Sequence, residues 1–178
     1  MIFKNNRKLK KILDKTLINQ KVRNIGKSIS KNFIGKKPIF IGVLKGSFIF
    51  TADLLRSIEI DCEVEFIKVQ SYKGMQSTGN IKITSDININ LKDRHIIIVE
   101  DIIDSGKTVK FLFNEFKEKS VKSISIATFL MKSNQQKFDF PIDYIGFEIK
   151  QGFVVGYGLD YNQKYRNLDS VYVLENKN

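Results

Sequence analysis

Cysteine is almost absent from this chain of 178 residues, which contains only Cys62. A single cysteine excludes an internal disulfide and a metal site built from cysteines alone, and it is typical of a reducing cytoplasm. Long apolar runs are absent as well, because charged residues such as Lys45 and Glu100 interrupt them, so no transmembrane helix is predicted. The first residues, MIFKNNRKLKK, lack an apolar segment after the basic ones and do not resemble a secretion signal. We therefore expect a cytoplasmic protein.

Internal repeats and low-complexity linkers are also absent, and the chain is long enough for one compact domain with a hydrophobic core. Its hydrophobic content of 42% and charged content of 28% are those of a globular protein. We expect a single domain over residues 1–178, with its core at about 17–135. The N-terminal segment and about 138–178, which contains short strand-like pieces, would form a small cap over the sheet edge, here called the hood.

The chain carries a formal net charge of +11, which has two interpretations. One is a polyanionic partner such as RNA, because a positive field attracts nucleic acid. The other is a compositional bias, since the lysines are spread along the chain and only KNNRKLKK is dense. We favour the compositional bias, and the charge by itself identifies no partner.

Hydrophobic periodicity divides the chain into alternating strands and helices. An opening helix that ends near Gly35 is predicted by apolar residues at helical spacing, namely Leu17, Val22, Ile25, Ile29 and Phe33. Strands are predicted at PIFIGVL (38–44), VEFIKVQSY (64–72), RHIIIVE (94–100) and VKSISIATFLM (121–131). Helices are predicted at FIFTADLLRSI (48–58), with Ser47 as N-cap, and at KTVKFLFNEFKEK (107–119). This order predicts an α/β fold in which helices flank a parallel sheet and ligands bind beyond the carboxyl ends of the strands.

The segment VEDIIDSGKT (99–108) ends a buried strand and places three acids before a Ser-Gly-Lys-Thr turn. A nucleoside-triphosphate P-loop requires a glycine five residues before Gly106, and this position is Asp101, which excludes that motif. What remains is a turn that opens a helix, where backbone N–H groups and the two hydroxyls of residues 105–108 can bind a phosphate.

The acids of this segment must serve another part of the same ligand. Ionised carboxylates only accept hydrogen bonds, and the donors beside a sugar phosphate are the ribose hydroxyls. A ribose 5-phosphate is therefore predicted, with its phosphate in the turn and its 2′- and 3′-hydroxyls on Glu100 and Asp101. Asp104 would then lie near the anomeric carbon, where a carboxylate can take a proton or stabilise positive charge.

VEDIIDSGKT resembles the phosphoribosyl diphosphate signature of the purine phosphoribosyltransferases, above all that of their hypoxanthine-guanine branch. Ser105 stands where this family usually has threonine, and the hydroxyl is kept. The resemblance extends from about Gly42 to Asp169 and implies a type I phosphoribosyltransferase fold, a parallel twisted sheet flanked by helices with a small hood. It assigns the phosphoribosyl group to Glu100, Asp101, Ile103, Asp104, Ser105, Gly106, Lys107 and Thr108.

VLKGS (43–47) resembles the family's pyrophosphate loop, in which the bond before the lysine, here Leu44–Lys45, is often a cis peptide. The resemblance implies that Lys45 and Gly46 bind the diphosphate. Taken alone, the same five residues would also suit an ordinary turn between a strand and a helix.

SYKGMQSTGNIKI (71–83) resembles the mobile loop of the same enzymes, which begins at Ser71 and Tyr72 in this chain. Closure of such a loop would exclude water from the reacting centre. Taken alone, the segment would also suit a hairpin turn.

Lys132 ends the strand segment FLMKS. Its ammonium group has only donors, so it can bond the 6-oxo group of hypoxanthine or guanine but cannot satisfy the 6-amino group of adenine. Lone lysines at strand ends are usually solvated, and the resemblance is what favours the role in base binding.

GFVVGYGLDYNQKYRNL (152–168) is the second segment that closely resembles the family. The resemblance implies that Phe153 stacks on the purine and that the Val154 backbone contacts its Watson–Crick edge. Asp160, with Glu100 and Asp101, would hold Mg²⁺, and Arg166 would bind pyrophosphate. An aromatic face, oxygen ligands and a guanidinium fork suit these three partners.

The resemblance implies a Mg²⁺-dependent enzyme that makes IMP from hypoxanthine and phosphoribosyl diphosphate, with guanine as a second base and Asp104 as the catalytic residue. It also implies a homo-oligomer, either a dimer or a tetramer. Two alternatives remain open: an RNA-binding attenuation regulator on the same fold, and an enzyme that prefers guanine or xanthine. His95 has no cysteine or histidine companion, so we predict a structural or exposed role and no metal ligation.

Overall fold

The computed structural model describes residues 8–71, 81–85, 87–133, 138–150 and 152–175. Three helices lie in these ranges, namely α1 (Lys15–Asn32), α2 (Phe48–Leu55) and α3 (Lys107–Lys117). The strands there are β1 (Lys8–Leu13), β2 (Ile39–Leu44), β3 (Glu63–Ser71), β4 (Ile81–Ile83), β5 (His95–Ile103), β6 (Ser123–Lys132), β7 (Tyr144–Ile149), β8 (Val154–Val155) and β9 (Val171–Glu175). The predicted alternation of strands and helices is confirmed.

The main sheet of the described residues has six strands in the order β4-β3-β2-β5-β6-β7. From β3 to β7 every neighbouring pair is parallel, and β4 pairs with β3 in the antiparallel sense. The carboxyl ends of β2, β5 and β6 therefore meet at one edge of the sheet. This is the edge at which ligands bind in parallel sheets.

The centre of the sheet is buried on both faces, as the continuous apolar runs predict. In β5, Ile97 and Val99 belong to the hydrophobic cluster that α1 and α2 cover, whereas Ile96 and Ile98 belong to the cluster of α3. All four side chains are 0% exposed. Because burial of such a side chain stabilises the fold by about 1.5–3 kcal/mol, the strand that carries the phosphate turn is firmly anchored.

The two ends of the described chain form a second, three-stranded sheet in the order β1-β9-β8. Its pairs are antiparallel, and Leu9 lies opposite Leu174 in the β1–β9 ladder. No strand was predicted at β1, because half of KLKKIL is lysine and its partner lies more than 150 residues away. None of the described helices is both long and apolar enough to span a bilayer.

Ser47 precedes α2 as predicted, but its predicted capping role is wrong. The residue has helical φ and ψ angles of −77° and −7°, and its side chain makes no capping hydrogen bond. Its fully buried hydroxyl instead donates to the carbonyl of Val43 at 2.7 Å. A capping side chain requires an extended backbone at the N-cap, and the tight turn after β2 does not provide it.

His95 has a structural environment at the start of β5. Its Nδ1 lies 2.7 Å from the hydroxyl of Ser123 at the start of β6, and its ring meets Phe33 edge-on. Burial lowers the pKa of His95, and the positive charges of Lys122 and Lys36 lower it further. The predicted structural role is confirmed by these contacts.

Candidate active site

The site is built at the carboxyl edge of the main sheet, where three strands place their ends side by side. Strand β5 extends to Ile103, three residues beyond its predicted end, so Glu100 and Asp101 are strand residues with fixed directions. Its neighbours β2 and β6 end at Leu44 and Lys132. The predicted pyrophosphate loop, phosphate turn and base-binding lysine therefore start from adjacent strands.

The phosphate turn lies between β5 and α3. Gly106 is the N-cap of α3 and has a φ of +68°, a conformation that favours glycine. The turn is tightly packed, because a Cβ atom at this position would lie 2.4 Å from the ring of Phe138. The first N–H groups of a helix have no partner within it, so this turn presents free donors at the positive end of the helix dipole.

A pocket opens directly above this turn. It is lined by Glu100, Ile102, Ile103, Asp104, Ser105, Gly106, Lys107, Thr108 and Val109. Ile103 is 1% exposed, so its side chain supports the pocket from the core. The structure thus brings together the residues that the sequence assigned to one phosphoribosyl group, apart from Asp101, which lies beside the pocket next to Glu100.

Glu100 is buried, and its Oε2 atom has no hydrogen-bond partner among the described residues. Burial raises the pKa of Glu100 well above its usual range, and the neighbouring charge of Asp101 raises it further. A buried polar atom without a partner is costly. Such an atom at the wall of a pocket indicates that a ligand group completes its hydrogen bonding.

Asp101 lies between the sheet and the pyrophosphate loop. Its Oδ1 accepts a 2.8 Å hydrogen bond from the N–H of Ile102, and its Oδ2 lies against the backbone of Gly46. Burial raises the pKa of Asp101 to about 6, while the Ile102 N–H and Arg166 act in the opposite direction. Asp160 contributes a smaller upward shift, so both Asp160 and Arg166 lie within electrostatic reach of Asp101.

Asp104 and Lys132 form an ion pair across the strand ends. Lys132 Nζ donates to Asp104 Oδ2 at 2.6 Å, although 28 residues separate them in sequence. The Lys132 side chain is 23% exposed and that of Asp104 is 53% exposed. The predicted catalytic carboxylate and the predicted base-binding ammonium are therefore in direct contact.

The pyrophosphate loop follows β2 and contains the expected cis peptide bond between Leu44 and Lys45. Lys45 is exposed at the mouth of the site. A Cβ atom at Gly158 would lie 2.2 Å from the carbonyl oxygen of Gly46, so the loop between β8 and β9 packs directly on the pyrophosphate loop. This contact explains how residues far apart in sequence surround one ligand.

Arg166 and Asp160 belong to that second loop and pair with each other. Arg166 Nη2 lies 2.7 Å from Asp160 Oδ1, and its Nη1 donates to the Gly158 carbonyl at 2.7 Å. Asp160 Oδ2 accepts a 2.8 Å hydrogen bond from the N–H of Gln163. The guanidinium is thus held in place, and only 19% of its side chain is exposed.

Two of the predicted purine contacts, Phe153 and Val154, lie at the start of β8. Phe153 is 52% exposed, and its ring meets that of Tyr161 edge-on with centroids 5.5 Å apart. Val154 is buried and pairs with Val173 in the β8–β9 ladder. An exposed aromatic face beside a fixed strand suits a flat base.

The carboxylates fit a magnesium ion only in part. Within the described ranges, no three side chains of His, Cys, Asp or Glu gather closely enough to hold a metal. Both oxygens of Asp160 are engaged, whereas Glu100 Oε2 has no partner in the same ranges. Mg²⁺ commonly takes one or two carboxylates and completes its shell with water and substrate phosphates. These acids therefore suit an ion that arrives with a diphosphate rather than a cage made by the protein alone.

One contact between the second loop and α2 was missed by the sequence analysis. The buried Tyr157 donates from its hydroxyl to Asp53 Oδ2 at 2.8 Å, and Asp53 Oδ1 pairs with Arg56 at 2.7 Å. Nothing in the sequence neighbourhood of Tyr157 indicates a partner 104 residues away. Of the predicted mobile-loop residues, Ser71 ends β3 and Tyr72 lies outside the described residues.

The sequence was also compared with known protein families. The family described as the phosphoribosyl transferase domain matches residues 8–162. The chain belongs to the phosphoribosyltransferase family. This match confirms the resemblance that VEDIIDSGKT and the later motifs indicated, and it makes the protein a transferase.

Curated relatives of this phosphoribosyltransferase share about two-fifths of its residues. The hypoxanthine-guanine phosphoribosyltransferase of Aquifex aeolicus is 40% identical over 171 residues, which cover 95% of this chain and 96% of that protein. The enzyme of the same name from Bacillus subtilis is 41% identical over 167 residues, which cover 93% of each. The similarity therefore extends over nearly the whole length of each protein.

Solved structures of this family share the fold. A hypoxanthine-guanine phosphoribosyltransferase from Bacillus anthracis superposes with a TM-score of 0.87 at 38% identity, over 93% of this chain and 99% of that one. A hypoxanthine phosphoribosyltransferase from Staphylococcus aureus gives a TM-score of 0.88 at 35% identity, and the match covers 96% of this chain and 93% of that one. The predicted type I phosphoribosyltransferase fold is confirmed.

Proposed function

We propose that this phosphoribosyltransferase is a purine salvage enzyme that transfers the 5-phosphoribosyl group from phosphoribosyl diphosphate to hypoxanthine and also to guanine. The observation that carries the proposal is a pocket lined by both the phosphate turn and the buried acid Glu100. A phosphate needs the donors of the turn, whereas ribose hydroxyls need the acceptors of the acid. The names of relatives at 40% and 41% identity support a purine as the acceptor.

The proposed roles follow the three groups of residues that meet at this edge. The phosphoribosyl group is bound by Glu100, Asp101, Ile103, Asp104, Ser105, Gly106, Lys107 and Thr108. The diphosphate is bound by Lys45, Gly46 and Arg166, and the purine by Lys132, Phe153 and Val154.

The transfer is a displacement at the anomeric carbon of the ribose. The purine N9 forms a bond to this carbon while the bond from the carbon to the diphosphate oxygen breaks. The proton on N7 passes to the carboxylate of Asp104, and the bonding pair leaves with the diphosphate. The donors of the pyrophosphate loop and Arg166 stabilise the charge that develops on the leaving group, which lowers the barrier.

Magnesium suits the acids of the site as a partner of the diphosphate. When bound, Mg²⁺ neutralises negative charge on the diphosphate and improves it as a leaving group. Glu100, Asp101 and Asp160 would be the residues that hold it. Arg166 pairs with Asp160 at 2.7 Å, which fixes the position of this carboxylate.

A comparison of four bases tests the proposal. Purified protein is supplied with phosphoribosyl diphosphate, Mg²⁺ and hypoxanthine, guanine, xanthine or adenine, and kcat/KM is measured from pyrophosphate release. We expect hypoxanthine and guanine to be used and adenine to be rejected, because the Lys132 ammonium cannot accept a hydrogen bond from a 6-amino group. A preference for adenine would overturn the role of Lys132, and a preference for xanthine would select that alternative enzyme.

The second candidate is an RNA-binding regulator on the same fold, because a net charge of +11 would attract a polyanion even though it identifies no partner by itself. Binding that depends on lysine contacts to phosphates weakens steeply as salt rises. A gel-shift titration against total cellular RNA at two salt concentrations separates the candidates. Tight, salt-sensitive RNA binding without turnover of any purine would favour the regulator. Turnover of a purine without such binding would favour the enzyme.

We further propose one domain over residues 1–178, with a core at about 17–135 and a hood from the N-terminal segment and about 138–178.

A homo-oligomer is supported by three exposed apolar side chains that flank β2, namely Phe48 of α2 and Val64 and Phe66 of β3, each 38–41% exposed. Sedimentation that shows only monomer would overturn this part of the proposal. The single cysteine supports a cytoplasmic location for the protein.

A further inference from the structure

The ion pair between Lys132 and Asp104 joins two groups to which the proposed function gives separate roles. Lys132 would contact the 6-oxo group of the purine, and Asp104 would take the proton from N7. In the structure Lys132 Nζ instead donates to Asp104 Oδ2 at 2.6 Å. One oxygen of the carboxylate that should receive a proton is therefore already engaged by a cation.

This pairing has a chemical consequence for Asp104. A carboxylate beside an ammonium group is stabilised in its ionised form and is a weaker proton acceptor. A hydrogen bond between two charged groups is also short and about twice as strong as a neutral one. Asp104 can act as an efficient base only after the ammonium has moved away from Oδ2.

We propose that Lys132 masks Asp104 until a 6-oxopurine enters the site, so that the 6-oxo group triggers catalysis as well as being recognised. This inference rests on the proposed function. The oxo oxygen accepts a hydrogen bond from the Lys132 ammonium and draws it away from Asp104. The 6-amino group of adenine is a donor and cannot do so, which leaves the ion pair closed.

Masking of Asp104 by Lys132 predicts that loss of the lysine shifts the substrate preference from hypoxanthine towards purine, which base recognition alone does not predict. Purine itself has hydrogen at position 6, so it cannot attract the ammonium, and the wild-type enzyme should use it poorly. Lys132→Met removes the charge and keeps much of the side-chain length. The variant should lose activity with hypoxanthine and gain activity with purine.

The chain provides a matched control for the loss of a lysine–aspartate pair. Lys110 Nζ also lies 2.6 Å from a carboxylate oxygen, Asp139 Oδ2, and their side chains are 53% and 65% exposed. Lys110 is not among the residues that line the pocket, so Lys110→Met removes an equally short ion pair outside the proposed chemistry. It should leave the use of both bases unchanged.

The experiment measures kcat/KM for hypoxanthine and for purine in the wild type, Lys132→Met, Lys132→Arg and Lys110→Met, with folding checked by circular dichroism. In Lys132→Met we expect kcat/KM for purine to rise about tenfold and kcat/KM for hypoxanthine to fall about tenfold. A tenfold change is the scale of one hydrogen bond to a charged group. Lys132→Arg keeps the charge and should keep purine at its wild-type value. If Lys132→Met does not fold, Lys132→Gln provides the same test because it also removes the charge.

Two results would overturn the inference while leaving the proposed function intact. Purine use that is unchanged or lower in Lys132→Met would show that Lys132 only contacts the base. A gain with Lys132→Arg as large as with Lys132→Met would show that the charge of the pair is not the cause. A wild-type protein that forms no IMP from hypoxanthine would instead contradict the proposed function itself, and the inference with it.

Discussion

The backbone of Gly46 lies directly against the carboxylate of Asp101. A Cβ atom at position 46 would stand 1.5 Å from Asp101 Oδ2, far inside van der Waals contact. On the other side, the carbonyl of Gly46 meets Gly158 of the loop between β8 and β9. Three segments thus meet at Gly46, and this contact places the groups proposed for the diphosphate around one point.

Gly46→Ala should therefore reduce catalysis strongly. The added methyl group must displace either the Asp101 carboxylate or the pyrophosphate loop, and a shift of about 1 Å in such a site can cost 100-fold in rate. We expect kcat/KM for phosphoribosyl diphosphate to fall by about 100-fold, measured by pyrophosphate release. The control is Gly35→Asn, because no atom lies within 4 Å of a Cβ there and asparagine tolerates its φ of +71°. Activity near the wild-type value in Gly46→Ala would refute the close-packing explanation.

Tyr157→Phe should lower stability while preserving the fold. The variant keeps the buried ring, which packs 4.6 Å from Phe129, and loses the 2.8 Å hydrogen bond to Asp53. We expect the free energy of unfolding in urea to fall by about 1 kcal/mol, the usual net value of one hydrogen bond. In an Asp53→Ala background the same change should cost almost nothing, because the partner is already missing. Equal costs in both backgrounds would exclude the hydrogen bond as the cause.

The same residue predicts a loss of stability in alkali. Burial raises the pKa of Tyr157 above its usual range, and the hydrogen bond to Asp53 raises it further. The folded state therefore keeps the phenol proton more tightly than the unfolded chain, in which tyrosine titrates near about pH 10. Below that pH the contribution is fully present, and it is lost as the pH rises further. The difference in unfolding free energy between wild type and Tyr157→Phe should shrink above about pH 10.

His95 provides a pH prediction that can be measured without mutation. It is the chain's one histidine, so its imidazole signals in a proton NMR titration are unambiguous. Burial lowers the pKa of His95, with Lys122 and Lys36 acting in the same direction, so the titration should give a value below that of the urea-unfolded chain. The contribution of the neutral His95 to stability is then fully present above the pKa of the unfolded chain, and it is lost as the pH falls towards the pKa of the folded state. A folded-state pKa equal to or above the unfolded one would contradict the structure around Ser123 and Phe33.

Asp104→Asn should reduce turnover with little effect on folding, because the side chain is half exposed. The amide cannot accept the N7 proton, and loss of a general base typically costs about 100- to 10,000-fold in rate. We expect kcat for IMP formation to fall within this range. Asp139→Asn is the matched control, since Asp139 pairs with Lys110 at the same 2.6 Å on the surface. Turnover near that of the wild type in Asp104→Asn would remove the residue from its role as base.

Prediction from sequence succeeded where the physical cause was local. The apolar run of β5 and the small-residue turn after it are sufficient to indicate a buried strand and a phosphate-binding helix start. It failed at Ser47, where the backbone angles of a tight turn and not the residue type decide whether a side chain caps the helix. It also failed at β1, whose lysine-rich sequence becomes a strand only by pairing with β9 near the other end of the chain.

The amino-acid sequence by itself determined the fold class, the phosphate turn and the list of groups able to act on a ribose phosphate, since these depend on neighbours within about ten residues. Tertiary structure alone decided which of these groups touch. The Lys132–Asp104 pair, the hydrogen bond from Tyr157 to Asp53 and the packing of Gly46 on Asp101 each join residues 28 or more positions apart. Such contacts depend on the order and register of the strands, which bring distant ends to one edge, and no short-range pattern encodes that order.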